Sequence, residues 1–182
     1  MASRKHLTWA LTAGALVAAL AGFGGTHVRD KPPDACKLVT TREAARILGT
    51  AVNKGKEAKT TPRPGAKARQ CEWASKRKGV GGIEGAPFKL QVEVNTGSTV
   101  RGDYEKGKSR VGLKDLVTVP DLGKDAFYDA RPFSGVHILI ADDRVLSVRV
   151  QNYNTAKADL RKPPAEMSVE AATIAVKRLG TA

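Results

Sequence analysis

Two segments of the chain place apolar residues with the 3.6-residue period of an amphipathic helix. In 40–49, Thr40 and Glu43 form a capping box, and Gly49 stands just past the expected end. The apolar face of this segment consists of Ala44, Ile47 and Leu48. The pattern predicts a short first helix.

The second helical segment, 168–180, lies near the end of the sequence. Ser168 stands where an N-cap is expected, Lys177 and Arg178 lie in the last turn, and Gly180 follows as a stop signal. The predicted inward stripe is Val169, Ala172, Val176 and Leu179. This segment predicts a closing helix.

Segments between the two helices carry strand patterns. Apolar and polar residues alternate in 88–94, which predicts a strand with one buried face and one wet face. The β-rich runs 136–141 and 145–151 flank residues 142–144 and predict a hairpin. The valines of the second arm do not alternate strictly, so the register of that arm stays open.

Weaker sequence patterns predict the remaining strands of the sheet. Short strands are expected around 71–73 and at 117–119, and a turn precedes the β-formers Phe127 and Tyr128. The charged, glycine-interrupted segment 98–110 is either a frayed helix or a long loop. Together the elements predict an α+β fold, in which N-terminal and C-terminal helices pack on one face of an antiparallel sheet.

An uncharged run at 7–23, preceded by Arg4 and Lys5, has the parts of an export signal. Ala19 and Ala21 form an A-x-A pattern, which favours cleavage after Ala21. An uncleaved anchor is one alternative, although a spanning helix needs about 20 apolar residues. A buried helix of the fold is another. We expect the chain to divide into a signal peptide or signal anchor (1–21), a linker (22–34) and a single extracytoplasmic domain (35–182).

The end of the uncharged run resembles a bacterial lipoprotein box. Leu20, Ala21 and Gly22 match its first three positions, but Phe23 stands where a cysteine would carry the lipid. We therefore expect an exported protein that is secreted or associated with the cell envelope. It would contact a membrane only through its N-terminal segment, if that segment is not cleaved.

The chain is strongly basic, with 31 Lys and Arg against 18 Asp and Glu. Nine of the basic residues lie in 53–78: Lys54, Lys56, Lys59, Arg63, Lys67, Arg69, Lys76, Arg77 and Lys78. The simplest interpretation is a solvated loop that leads into the strand at 71–73. The alternative is a patch that contacts anionic wall polymers or lipid head groups. Nucleic acid is not an expected partner, because no aromatic residues for base stacking are interleaved.

The two cysteines, Cys36 and Cys71, both follow the export signal and are expected to form a disulfide. In the chain-entropy description, closing a loop of this length stabilises the fold by about 3 to 4 kcal/mol. A metal site would need more ligands than two isolated cysteines provide.

Several of these features together resemble a known family. They are Cys36-x-Leu38 before the capped helix, Cys71-x-Trp73, Leu122-Gly123 with Ala126-Phe127, the hairpin and the Ala-rich closing helix. The chain is similar over 34–179 to the actinobacterial exported lipoproteins of domain of unknown function 3558. The resemblance implies a cell-envelope location and a Cys36 to Cys71 bridge, but it carries over no catalytic residues. Members typically have a lipidated cysteine where this chain has Phe23.

No residue pattern predicts catalysis, a metal site or a cofactor, so a non-enzymatic protein is expected, with an unknown hydrolase as the alternative. Of the three histidines, His6 and His27 lie in the signal and linker, and His137 is expected to be half-buried and hydrogen-bonded within a strand. Asp142 and Asp143 are typical of a turn. Two further aspartates, Asp121 and Asp125, are candidates to contact Lys124 or a cation.

Two functional hypotheses follow. The first is a non-catalytic envelope module that binds a small ligand, a glycan or a partner protein in a cleft between the sheet and the helices. The second is a domain held electrostatically on an anionic wall polymer or membrane surface by the basic segment. Trp73 is expected in the core, next to the disulfide, or alternatively in the cleft.

Overall fold

The computed structural model describes residues 31–76, 88–131, 135–152 and 162–180. The predicted signal segment and the predicted linker up to residue 30 lie outside these residues, as do Arg77 and Lys78. Within the described part of the chain, no helix is long and apolar enough to cross a membrane.

Three α-helices and a seven-stranded sheet make up the described regular structure. In chain order the elements are a 3-10 turn (Ala35–Lys37), α1 (Thr41–Leu48), β1 (Lys56–Ala58), β2 (Ala66–Ala74), β3 (Phe88–Gly97), α2 (Val100–Arg110), β4 (Leu116–Thr118), β5 (Asp125–Asp129), β6 (Val136–Ala141), β7 (Arg144–Asn152) and α3 (Pro164–Gly180). The strand order is β1-β2-β3-β7-β6-β5-β4, and neighbouring strands are antiparallel. The predicted α+β class is confirmed.

One face of the sheet carries the main hydrophobic core. Along β3 the buried side chains are Phe88, Leu90, Val92 and Val94, and they continue across β7 with Leu146, Val148 and Val150. Both α1 and α3 pack on this face, through Ile47, Leu48, Met167 and Leu179 among others. The prediction that the N-terminal and C-terminal helices share one face is confirmed.

The opposite face is partly covered by α2, so it is not wet along its whole length. A second, smaller cluster joins Val100 and Tyr104 of α2 to Phe127, Leu139 and Val145 of the sheet. Most of the segment 98–110, which was predicted as either a frayed helix or a long loop, is therefore helical. It also explains the imperfect alternation in the second hairpin arm, because β7 is buried on both faces beside α2.

The cap of α1 forms as predicted and leads to a contact with α3. Thr40 Oγ1 accepts a hydrogen bond from the Glu43 backbone N–H at 3.2 Å, and Gly49 takes the left-handed conformation at φ 65°. Arg178 of α3 donates two hydrogen bonds to the Glu43 carboxylate, at 2.7 and 2.8 Å. These bonds lower the pKa of Glu43 to about 2. The capping residue therefore also ties the two helices together.

The predicted start of the closing helix is wrong. The helix begins at Pro164, where a proline is tolerated because the first turn needs no N–H donor. Ser168 is therefore inside the helix and buried, where its hydroxyl donates to the Pro164 carbonyl at 2.8 Å and accepts from the Val150 N–H at 3.1 Å. The inward stripe is correspondingly rotated, to Met167, Ser168, Ala171, Ala172, Ala175 and Leu179.

The other strand predictions need smaller corrections. The hairpin and the strand from residue 88 are confirmed, and β4 covers Leu116–Thr118, one residue earlier than expected. β2 is longer than the predicted strand at 71–73, and it pairs with the short edge strand β1. A large part of the predicted basic loop is thus strand, because cross-strand hydrogen bonds outweigh the weak local propensity of its lysines and prolines.

The Cys36 to Cys71 disulfide is formed. It joins the 3-10 turn to β2, and both Cys71 and the neighbouring Trp73 are almost fully buried. Trp73 is thus a core residue. Gly55 covers this pair so closely that a Cβ there would lie 2.6 Å from Trp73 Nε1 and 3.0 Å from Cys71 Sγ.

Removing the disulfide should destabilise the fold strongly. In a double Cys36→Ala, Cys71→Ala variant we expect the free energy of unfolding to fall by about 3 to 4 kcal/mol, because the unfolded chain regains the freedom of a long loop. Urea unfolding with and without a reductant measures this. Reductant should lower the stability of the wild type and leave the double variant unchanged; equal sensitivity of the two proteins would contradict the expectation.

Candidate functional site

A cavity of about 430 Å³ opens on the face of the sheet opposite α1 and α3. Its lining comes from α2, from the loop between β1 and β2, and from side chains of β2, β3, β5, β6 and β7. Cavities of this size, with apolar walls and a few converging polar groups, commonly bind small molecules. We therefore treat it as the candidate functional site.

Strand pairing arranges the floor of the cavity. Glu93 of β3 lies opposite Ser147 of β7. Ser147 in turn lies opposite His137 of β6, which lies opposite Phe127 of β5. Opposed residues of antiparallel strands sit side by side on one face, so these four side chains form a continuous row, here called the floor row. Asn95 extends it by donating a hydrogen bond to Glu93 Oε1 at 2.7 Å.

His137 is held within the floor row as a neutral side chain. Its Nδ1 lies 3.0 Å from Ser147 Oγ, and its ring stacks on Phe127 with a centroid separation of 5.1 Å. Burial lowers the pKa of His137 to about 4, and the positive charge of Arg149 acts in the same direction. The expectation of a half-buried, hydrogen-bonded histidine is confirmed.

Its low pKa makes His137 a weak general base for the neighbouring Ser147 hydroxyl at neutral pH. A general base works best with a pKa near the operating pH, and that of His137 is lower. Asp129 is engaged by Arg131, which donates to both carboxylate oxygens through Nε and Nη2 at distances from 2.6 to 3.1 Å. The arrangement suits hydrogen bonding to a ligand better than proton abstraction.

An ion pair joins the loop between β1 and β2 to α2 at the edge of the cavity. Arg63 Nη1 lies 2.7 Å from Asp103 Oδ1, and both side chains keep part of their surface in solvent. Thr99 Oγ1 also donates to the Pro64 carbonyl at 3.3 Å. Gly65, at φ +80°, leaves room for Thr99, because a Cβ would come within 2.8 Å of its methyl group. These contacts fix the loop segment 60–63 as a wall of the cavity.

The α2 wall is anchored to the sheet by a polar network. The Tyr104 hydroxyl donates to Asp125 Oδ2 at 2.9 Å, and Lys108 Nζ lies 2.6 Å from the same oxygen. The hydrogen bond from Lys108 lowers the pKa of Asp125, while burial raises that of Tyr104. The Tyr104 ring also contacts Phe127, at a centroid separation of 5.4 Å.

The predicted contact between Asp125 and Lys124 does not form. Asp125 contacts Lys108 rather than Lys124, and Lys124 instead pairs with Asp142 at 3.1 Å. The turn assignment for Asp142 is confirmed, since it lies in the two-residue turn between β6 and β7. Among the residues that the structure describes, no group of three or more acidic, histidine or cysteine side chains could hold a metal ion.

The basic residues predicted to form a polyanion patch are divided between faces of the sheet. Arg63 lines the cavity, whereas Arg69 pairs with Glu57 at 2.8 Å and with Asp34 at 3.6 Å on the disulfide side. The exposed lysines are spread along the β1 edge and β2: Lys54, Lys56, Lys59, Lys67 and Lys76. Arg77 and Lys78 fall outside the described residues.

Sequence reasoning missed most of the residues that line the cavity. The missed polar residues are Thr60, Thr61, Glu93, Asn95, Asp103, Tyr104, Asp129, Arg131 and Ser147. The alternation of β3 did place Glu93 and Asn95 on its polar face, but that face was expected to be wet. Only the position of α2, which the pattern left open, turns part of this face into a concave site.

Acid should destabilise the fold through His137. The unfolded histidine takes up a proton near pH 6.5, whereas the folded one does so only near pH 4, so stability falls as the pH drops through this interval. His137→Gln keeps a hydrogen-bonding group beside Ser147 and should flatten this part of the curve. Urea unfolding across the interval measures the slope. Ser147→Ala, which retains the histidine, should keep the slope; an unchanged slope in His137→Gln would contradict the expectation.

Comparisons of the chain with protein-family models, with curated proteins and with solved structures find no match. They neither support nor refute the resemblance to domain of unknown function 3558, which stays a prediction.

Proposed function

We propose that the chain is a non-catalytic, exported cell-envelope domain that binds a small ligand in the cavity between the sheet and α2. The observation that carries the proposal is the convergence of polar groups from separate strands on a cavity of about 430 Å³. Apolar walls from Val100, Val111 and Val145 accompany them. This mixture of apolar surface and a few oriented polar groups is typical of small-molecule sites.

The non-catalytic part of the proposal is supported by the state of the titratable groups. His137 has a low pKa because it is buried, and the Asp129 and Asp103 carboxylates are each paired with an arginine. Groups held in this way orient a ligand, but they are poorly suited to proton transfer at neutral pH.

The exported location is supported by the Cys36 to Cys71 disulfide, because such bonds persist mainly in oxidising compartments. The sequence of 1–21 and the resemblance to an envelope family favour the same location. Membership of that family remains part of the proposal.

Electrostatic retention on wall polymers or lipid head groups is the second hypothesis and has less support. Arg63 and Arg69 are ion-paired, and they lie on different faces of the sheet. Retention by charge would weaken steeply with salt, whereas a ligand in the cavity would remain bound.

Filling the cavity should abolish ligand binding. Ala68 lines the cavity, so Ala68→Phe inserts a ring into the space that a ligand would occupy. Ala74→Phe is the matched control, because Ala74 lies on the same strand and face, six residues further on, outside the lining and opposite Lys89. Native mass spectrometry of each protein, purified from the envelope of a producing cell, measures bound small molecules.

We expect a mass adduct on the wild type and on Ala74→Phe that is lost upon denaturation, and no adduct on Ala68→Phe. An equal adduct on all three proteins would place binding elsewhere, and a wild type without any adduct would contradict the proposed function. Circular dichroism spectra would establish that both variants are folded.

A further inference from the structure

We propose that the ligand of the cavity is a neutral, polyhydroxylated molecule, such as a sugar unit of a glycan. This inference rests on the proposed function and gives its ligand a chemical class. It depends on three properties of the lining: its charge balance, its interleaved hydrogen-bonding groups and its apolar walls.

The charges of the cavity argue against an anionic ligand. Although the chain carries a net charge of +13, the charged lining residues are two arginines and three carboxylates. Both arginines are already paired, Arg63 with Asp103 at 2.7 Å and Arg131 with Asp129 at 2.6 Å. An anion would have to compete with these carboxylates for the guanidinium groups and would also face the charge of Glu93.

Of the three lining carboxylates, Glu93 is the one that no arginine of the described residues pairs with. Glu93 accepts a hydrogen bond from Asn95 and lies opposite Ser147, with the neutral His137 one strand further on. It is thus the lining carboxylate most available to a cation, but the groups beside it in the floor row are neutral. A hydroxyl can donate to Glu93 and accept from a neighbouring group without bringing an unmatched charge into the cavity.

The hydrogen-bonding groups interleave donors and acceptors. Across the floor row a carboxylate, a hydroxyl and an imidazole follow one another on adjacent strands, with the Asn95 amide beside them. The paired arginines add donors: the Arg131 contact uses Nε and Nη2, and the Arg63 contact uses Nη1, out of five N–H groups on each guanidinium. Each sugar hydroxyl both donates and accepts, so several adjacent hydroxyls match this pattern.

The apolar walls complement the other surface of a sugar. Side chains of Val100, Val111 and Val145 line the cavity together with the rings of Tyr104 and Phe127. A sugar ring presents C–H groups on its faces and hydroxyls around its edge. It can therefore contact the walls while its hydroxyls reach the floor row, as is usual for sites with apolar walls and few polar groups.

Matched sugars of different charge test this inference. Glucose, glucuronate and glucosamine share one skeleton with neutral, negative and positive charge, and galactose, galacturonate and galactosamine form a second set. Each is titrated into the isotopically labelled full chain at up to tens of millimolar, and amide resonances are followed by NMR. We expect the neutral members to shift resonances of 93–95, 145–147 and α2, with dissociation constants at least tenfold lower than those of the charged members.

Two variants test whether the floor row binds the sugar. Ser147→Ala removes a central hydroxyl of the floor row and should weaken binding of the neutral sugar about five- to tenfold. Thr118→Ala, at the outer end of the same cross-strand row on β4, lies outside the lining and should leave binding unchanged. Equal weakening by both substitutions would overturn the assignment to the floor row.

Other outcomes also overturn the inference. Tighter binding of the amino sugars, lost in Glu93→Gln, would assign the cavity to cations, and tighter binding of the uronates would assign it to anions. If none of the six sugars shifts resonances of the cavity, the neutral polyhydroxylated class is wrong. The proposed function would then still be decided separately by the adduct on the wild type and its loss in Ala68→Phe.

Discussion

The structure depends on the alternation of side chains along its two central strands. Successive side chains of β3 and β7 point to opposite faces, so one set of apolar residues is buried under α1 and α3. The other face presents Glu93, Asn95 and Ser147. Because α2 covers only part of this second face, a cavity remains between α2, the loop segment 60–63 and the sheet. Core and candidate site are thus two consequences of the same pairing between β3 and β7.

Local signals predicted the elements that depend on neighbours in sequence. The Thr40 to Glu43 capping box, the β6–β7 hairpin and the disulfide all follow from residue types at short spacing or from the presence of two cysteines. The failures came from distant contacts. Ser168 resembles an N-cap locally, yet its hydroxyl accepts a hydrogen bond from the Val150 N–H of the sheet. The short strand β1 forms only because β2 lies beside it. The cavity could not be predicted, because its residues Arg63, Asp103 and His137 are far apart in the sequence. Only the strand order and the position of α2 bring them together.

The electrostatics of the site differ from those of the chain. A strongly basic sequence predicts attraction to anions, but the arginines at the cavity are paired with Asp103 and Asp129. Burial also keeps His137 uncharged at neutral pH. The cavity is therefore a near-neutral, hydrogen-bonding environment within a positive protein, which favours selectivity for uncharged polar ligands.

Hydrogen exchange measured with and without a small-molecule extract of the cell envelope would show whether a ligand binds in the cavity. The cavity is walled by the loop segment 60–63 and by α2, both of which have much of their surface in solvent. If a ligand binds between them and the floor row, amide exchange should slow in 60–66 and in α2, and Ala68→Phe should remove the effect. Unchanged exchange in both regions, or slowing confined to the β1 edge at 54–59, would contradict the account.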